Sequence, residues 1–431
     1  MEDKKIHYNS IVVDGHNDTM MKIIDEETWL PIINIGKSTE YHIDIPKLQE
    51  GGINLGFFAS FTEGYYGNDA KSLSRNLALI NALIFTYENN PDTFEIVTSI
   101  DEVNKAIENN KVGALPTIEG AYGINEENYL ELLKQFYDLG IRAIAPTWNY
   151  SNHIGEGCSR AYGDSDNTPS EGGLTNLGKK VIEEMNKLGI LVDVSHLAEE
   201  TFWDVIRISK SPIIASHSGV YNLKKHQRNL KDDQLKAIKE NGGVVGVVLF
   251  PNFLSDKKEV YIKDFVDHID YIVNLIGIDY VGIGSDFDGA KMPLDLKDSS
   301  EMYKITDELI QRGYDDEAIE KILGKNILRV LKEVQQSGSY YLEALEGEII
   351  YKDDELILNM SKKIDLNVVN SRIIIDGIAY EANIDIERTY IFLKIEELLK
   401  EKFHVVSFEI EDHGMIQRYT KIIHRDLKFG I

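Results

Sequence analysis

Cysteine is almost missing from this chain. Its 431 residues include one, Cys158, so no disulfide can close within it and no cluster of thiolates can hold a metal. That usage fits a reducing compartment, and a lone thiol in a Gly- and Ser-rich loop reads as a bystander rather than a nucleophile. Basic residues are also scarce, with 46 Lys+Arg against 72 Asp+Glu and a formal net charge of −26. A surface this acidic repels phosphate backbones and anionic headgroups, which excludes nucleic acid and membranes as partners. No uncharged apolar run approaches the ~20 residues that span a bilayer. Met1 to Ser10 lack the apolar segment of a secretory signal, and the expectation is a cytoplasmic protein. Internal repeats and low-complexity tracts are absent too.

Hydrophobic residues make up 43% of the chain, enough for a large core, and they are distributed in two alternating patterns. Short β-rich runs occur at Ile11–Val13, Ile53–Phe58, Val112–Thr117, Ile141–Pro146, Leu191–Val194, Ile213–Ser216, Val244–Phe250 and Tyr280–Gly284. Between them lie stretches with apolar residues at helical spacing, such as Leu73–Tyr87, Glu127–Leu139, Leu177–Leu188 and Val260–Ile276. Gly140 and Gly189 follow two of these helices, as left-handed C-caps require. Strand alternating with helix predicts a parallel sheet, and eight such strands predict a (β/α)8 TIM-type barrel. Two long segments that follow strands, Met20–Lys47 and Asn149–Thr175, fall on the face where barrels build their sites. After a helix predicted over Asp316–Gln335, the run Gln336-Ser337-Gly338-Ser339 reads as a linker. The division expected is a barrel over 1–337 and a small C-terminal α+β appendage over 338–431. The appendage reads as strands at Glu348–Tyr351, Leu356–Met360, Arg372–Ile375 and Val405–Glu409 with a helix at Ile391–Glu401. Its His404, His413 and His424 read as surface or packing residues.

The ends of the apolar runs carry the chemistry. Ile11-Val12-Val13-Asp14-Gly15 delivers His16-Asn17-Asp18, and on an extended strand His16 and Asp18 share a face. Val112–Thr117 runs into Glu119-Gly120, Asp193-Val194-Ser195 delivers His196, Ser216 delivers His217, and Gly284-Ser285 delivers Asp286. In a closed parallel barrel these C-terminal ends form one ring, so six distant side chains can share a cavity. Imidazole and carboxylate without thiolate is the ligand set of a hydrolytic Zn²⁺ site, with Mn²⁺ or another divalent ion as the alternative. Six groups exceed the needs of one tetrahedral ion, and Glu119, from a strand between the two groups, is the candidate bridge. Two ions ~3.5–4 Å apart would bring the pKa of a shared water towards ~7 and polarise a carbonyl.

These motifs, together with Phe287-Asp288-Gly289, resemble the membrane dipeptidase (renal dipeptidase) family of zinc peptidases over residues 10 to 335. The resemblance implies a (β/α)8 barrel with two Zn²⁺ per chain. It implies hydrolysis of dipeptides, including those with a C-terminal D-residue, by attack of a hydroxide held between the metals. His16 and Asp18 would hold one zinc, His196 and His217 the other, and Glu119 would bridge them. Asp286 would be the acid/base, and Arg228 in Gln227-Arg228-Asn229-Leu230 matches the substrate-binding arginine. Association as a homodimer is also implied. Mammalian members carry a substrate-contacting histidine in a Thr-His step after the fourth strand, where this chain has Thr147-Trp148-Asn149. His153, five residues beyond Trp148, is the candidate replacement, and Trp148 the candidate wall of a side-chain pocket. Two other readings compete: hydrolysis of another amide, an N-acyl amino acid or a β-lactam, on the same centre, or a metal-holding barrel that binds a ligand without turnover.

Overall fold

Alternating apolar residues divide the strands between two environments. Val13, Leu55, Leu115, Ala143, Leu191, Ile214 and Val244 meet in one buried cluster with Ile327, Val330 and Leu331. Their sequence neighbours Val12, Ala114, Ile144, Val192, Ile213 and Val245 join a second, larger cluster with the surrounding helices. The first cluster is the interior of a barrel and the second its mantle, as the period of two requires.

The computed structural model describes residues 4–63, 67–159, 170–340, 343–352, 355–361, 368–385, 389–395, 399–412 and 415–425. All eight expected barrel strands form: Val12–Asn17, Ile53–Phe61, Val112–Glu119, Ala143–Ala145, Leu191–Val192, Ile214–Ser218, Val244–Val248 and Val281–Gly284. The first five pair in parallel in chain order, and the last three do the same. Two lone parallel bridges, Asp193 to Ile214 and Asn17 to Phe287, join these two sheets into a cylinder. An unexpected strand, Phe94–Ile96, lies along Val112–Ala114, where the fourth strand does not yet pair because its register begins at Thr117.

Helices cover the outside at Ala70–Asn89, Tyr129–Asp138, Asn176–Leu188 and Ile262–Ile276, among others. Gly140 and Gly189 do adopt positive φ, at 94° and 72°. The helix expected over Asp316–Gln335 is broken instead by a π-helical turn at Lys321–Lys325, with helix resuming over Asn326–Ser337. The interruption falls where Gly324 abuts the first strand, since a Cβ there would lie 2.3 Å from Ile11 O.

The segment after the barrel forms two packed sheets. One has the strand order Glu343–Ala344, Met415–His424, Phe403–Asp412, Val368–Ile375 and Ile378–Glu381. The other runs Gly347–Lys352, Glu355–Met360, Tyr390–Lys394 and Asn383–Ile384. The helix expected at Ile391–Glu401 is therefore not found where the chain is described: Tyr390–Lys394 is a strand paired with Glu355–Asn359. Ile391 and Ile395 are buried between the sheets with Leu393 packed beside them, a two-residue period that the following Glu- and Leu-rich run obscures. His404 and His424 are buried, and His413 lies outside the described residues.

The strand Phe403–Asp412 faces both ways. Val406, Phe408 and Ile410 enter the core between the two sheets, while Phe403 and Val405 join the mantle of the barrel. Gln135 on the barrel helix Tyr129–Asp138 donates to Ile374 O (3.0 Å) and Ser407 Oγ (3.0 Å) and accepts from Gly377 N (2.8 Å). Arg418 joins Glu131 and Glu409 across the same contact.

Candidate metal centre

Each candidate side chain is set at the mouth by local backbone geometry. The alternation that buries Leu115 inside the barrel also turns Thr117 and Glu119 inward, and Gly120 (φ 86°) then ends the strand. The ladders slip beside two of the histidines, between Asp14 and Asn17 around His16 and between Ala215 and Ser218 around His217. His196, Asp286 and Asp288 hold left-handed conformations at φ 68°, 62° and 65°. Non-glycine residues in this region cost energy, and they gather at functional sites.

The two oxygens of Glu119 face different histidines. Oε1 lies 2.8 Å from His196 Nε2 and 3.4 Å from His217 Nε2, while Oε2 lies 3.6 Å from His16 Nε2. His16 Nε2 is in turn 3.6 Å from Asp18 Oδ2. The potential ligand atoms of His16, Asp18 and Asp286 all lie within 4.8 Å of one another. Gly289 keeps this corner open, because a Cβ there would come within 2.1 Å of Asp18 Oδ2 and 2.4 Å of Asp286 Oδ1.

A layer of hydrogen bonds behind the mouth orients these groups. Ser216 Oγ donates to Asp193 Oδ2 (2.5 Å) and lies 2.8 Å from His217 Nδ1, which can then donate to it. His196 Nδ1 is 2.7 Å from Asn149 Oδ1. Asp14 accepts from Ser285 N and Oγ at 2.7 and 2.8 Å, tying the first strand to the eighth. Asp288 accepts from Thr19 Oγ1 (2.8 Å) and His42 N (2.8 Å), which fixes the long loop after the first strand.

Burial and neighbouring charge set the protonation states. Burial, with Arg228 nearby, brings the pKa of His196 down to about 3, and burial beside His16 also holds His217 well down. Burial would lift Glu119, yet His16 and His196 hold it well below the usual carboxylate range. Burial works against a charged His16, but Glu119 and Asp18 overcome it. Asp286 is pushed well up by burial and by Asp18.

These facts test whether a cation suits the site. With protons on their Nδ1 atoms, His196 and His217 aim bare Nε2 atoms at each other across 2.7 Å, with the Glu119 carboxylate beside both. Three lone-pair donors converging in a buried place repel unless a positive charge lies among them. His16 Nε2 and Asp18 Oδ1 are buried without a hydrogen-bond partner among the described residues. Nitrogen and oxygen donors without thiolate suit zinc or another divalent ion, so the residues fit such a group.

A cleft of 880 Å³ opens over the cluster, lined by Asp18, Glu119, His196, His217, Arg228 and Asp286 and walled by Phe61, Trp148, Phe250 and Phe253. Arg228 is 5% exposed. It donates to His217 O (3.0 Å), and its Nε has no hydrogen-bond partner among the described residues. Trp148 stands beside His196, its ring 5.7 Å away, and also meets Phe61 edge-on at 5.2 Å. His153 does not join them. It is exposed and lines a separate depression with Asn125 and Glu127, because Asn152 turns the chain by accepting from Ile154 N and Gly155 N. Sequence reasoning missed Asn149, Ser216, Asp193 and Asp14, all behind the ligands. The available signal was their place beside a ligand or in a quoted motif. Cys158 is buried and donates to Asn149 Oδ1 (3.1 Å), so it touches the site's support.

A sequence model described as membrane dipeptidase (peptidase family M19) matches residues 1–342. An uncharacterized protein of the pqqA 5′ region of Klebsiella pneumoniae is 36% identical over 274 residues, 63% of this chain and 98% of that one. An uncharacterized dipeptidase of Schizosaccharomyces pombe is 31% identical over 353 residues, 77% of this chain and 82% of its own. Among solved structures, a metallo peptidase from Rhodobacter sphaeroides, bound to a phosphinate mimic of L-Ala-D-Ala, superposes with a TM-score of 0.67. It is 28% identical, and the match covers 75% of this chain and 99% of that one.

Proposed function

The chain belongs to the membrane dipeptidase family, peptidase family M19, and is a metallo-dipeptidase; on that premise we propose that its cleft holds two divalent cations, zinc in the first place, and cleaves dipeptides between them. His16 and Asp18 would hold one and His196 and His217 the other, with Glu119 shared. The observation that carries this reading is the division of Glu119, whose two oxygens face separate histidine groups. When bound, such a pair supplies a water with a pKa near ~7 and polarises the scissile carbonyl.

The chain's own residues do the rest. Arg228 presents a buried guanidinium edge, suited to the substrate's terminal carboxylate. Asp286, with its raised affinity for protons, takes the proton of the attacking water at its carboxylate and passes it to the departing amine nitrogen. Two aromatic pairs in the lining, Phe61 with Trp148 and Phe250 with Phe253, exclude water from the substrate's side chains. With Arg228 on the terminal carboxylate and the free amine meeting a carboxylate or a cation of the centre, both ends of the substrate are read, which limits it to dipeptides. Those with a C-terminal D-residue are included, in keeping with the ligand of the Rhodobacter sphaeroides relative.

No helix among the described residues is long and apolar enough to cross a membrane. Cytoplasmic residence, a homodimer and a separate domain from residue 338 belong to the same proposal, the first resting on the single cysteine. The deciding experiment is a dipeptide panel set beside N-acyl amino acids and a β-lactam, assayed before and after chelation. Dipeptide turnover should disappear with the metal and return with added Zn²⁺. Turnover that survives complete metal removal would overturn the mechanism. Turnover of acyl amino acids alone would move the substrate.

A further inference from the structure

Asn149 lies in the loop after the fourth strand, where its amide oxygen meets two hydrogens. Oδ1 is 2.7 Å from His196 Nδ1 and 3.1 Å from Cys158 Sγ. A neutral imidazole carries its one ring proton on either nitrogen. Facing an amide oxygen at this distance, the proton belongs on Nδ1, which donates. With the amide oxygen turned towards the histidine, the thiol can donate to that oxygen as well. Nε2 of His196 is then bare, 2.8 Å from Glu119 Oε1 and 2.7 Å from His217 Nε2.

The backbone keeps Asn149 in place. Its carbonyl accepts from Ser159 N (2.7 Å), and Cys158 N donates to His196 O (2.8 Å). Gly157 fills the gap between these contacts: a Cβ there would lie 2.5 Å from both Trp148 O and Asn149 O. The loop therefore grips His196 by its carbonyl and its ring together.

We propose that Asn149 is a positioning residue of the metal centre: it selects the Nδ1–H tautomer of His196 and so presents Nε2 to the cation shared with His217 and Glu119. This rests on the ligand roles proposed above but not on any choice of substrate. It also gives a task to the second residue of the Trp148-Asn149 step.

The test is Zn²⁺ binding by the purified full-length chain, measured by competition with a chromophoric chelator. Asn149→Leu keeps the volume and removes the acceptor, so affinity at one of two sites should fall about 10–100-fold, the usual effect of losing an outer partner. Asn149→Asp keeps an oxygen for the Nδ1 proton and should stay within a few-fold of the unaltered chain. Leu at 149 with wild-type affinity at both sites would overturn the assignment, as would Asp binding as weakly as Leu. Should the Leu variant not fold, ¹⁵N NMR of the metal-free wild type decides: an Nδ1–H tautomer at His196 supports the assignment and Nε2–H overturns it. A wild-type chain that binds no divalent cation would overturn the metal centre itself, whereas one that binds zinc but cleaves no dipeptide would leave the role of Asn149 standing.

Discussion

Asp18 is buried and Asp286 half-buried, with ligand atoms within 4.8 Å of each other, and ionising both would place two like charges in a poorly solvated corner. Asp286 bears the larger consequence and holds its proton well above the ordinary carboxylate range. An acid/base is most effective when its pKa lies near the working pH. Asp286→Asn should therefore lower kcat roughly 10²–10⁴-fold, with cation stoichiometry unchanged by metal analysis. Activity near that of the wild type would remove Asp286 from the proton path. The side chains now found together were legible because each directly ends an apolar run, so strand direction alone carries it to the mouth. Asn149 and Ser216 were not, since what matters there is which atom of a neighbouring ring they touch. The expectation for His153 failed because it depends on the turn of one loop, set by the Asn152 side chain rather than by strand geometry.

Whole elements were read with uneven success, and the differences have causes. All eight barrel strands could be found because burial on both faces makes them continuous apolar runs. Their extent was less visible. Leu191–Val192 is two residues long, since the lone bridge at Asp193 takes over the pairing. The strand at Tyr390–Lys394 was mistaken for part of a helix because Glu and Leu dominate the residues after it. Within the two-sheet unit, His404 Nδ1 lies 2.5 Å from Asp376 Oδ2. Burial disfavours its charge, but Asp376 overcomes this and raises its pKa on folding. A raised folded pKa stabilises fully below the unfolded value of ~6.5 and loses its effect as pH rises through the folded value. Thermal melts should thus show His404→Gln losing more Tm relative to wild type at pH 5.5 than at pH 9. An equal loss at both would mean that the pair carries no charge.

On the scale of the molecule, acidity set nucleic acid and anionic membranes aside, and the alternation of strand with helix pointed to a barrel, before any contact was known. The docking of the two-sheet unit could not be read, because Gln135 and Arg418 are polar residues whose partners lie more than 230 positions away. The closure of the barrel is the feature with the widest reach. Five strands and three strands meet at two seams, each held by a lone bridge and few backbone bonds. Val194 N donates to Ile214 O across one, while Asp18 N donates to Phe287 O and Asp286 N to His16 O across the other. His196 and His217 stand on opposite sides of the first seam, so a cation gripped by both would rivet the cylinder shut. Hydrogen exchange should report it. At a hundredfold excess of zinc over its Kd, linkage of about 2.7 kcal/mol would slow the Val194 amide roughly 100-fold where opening of that seam releases the ion. Exchange there that ignores zinc would mean the wall stands without its rivet.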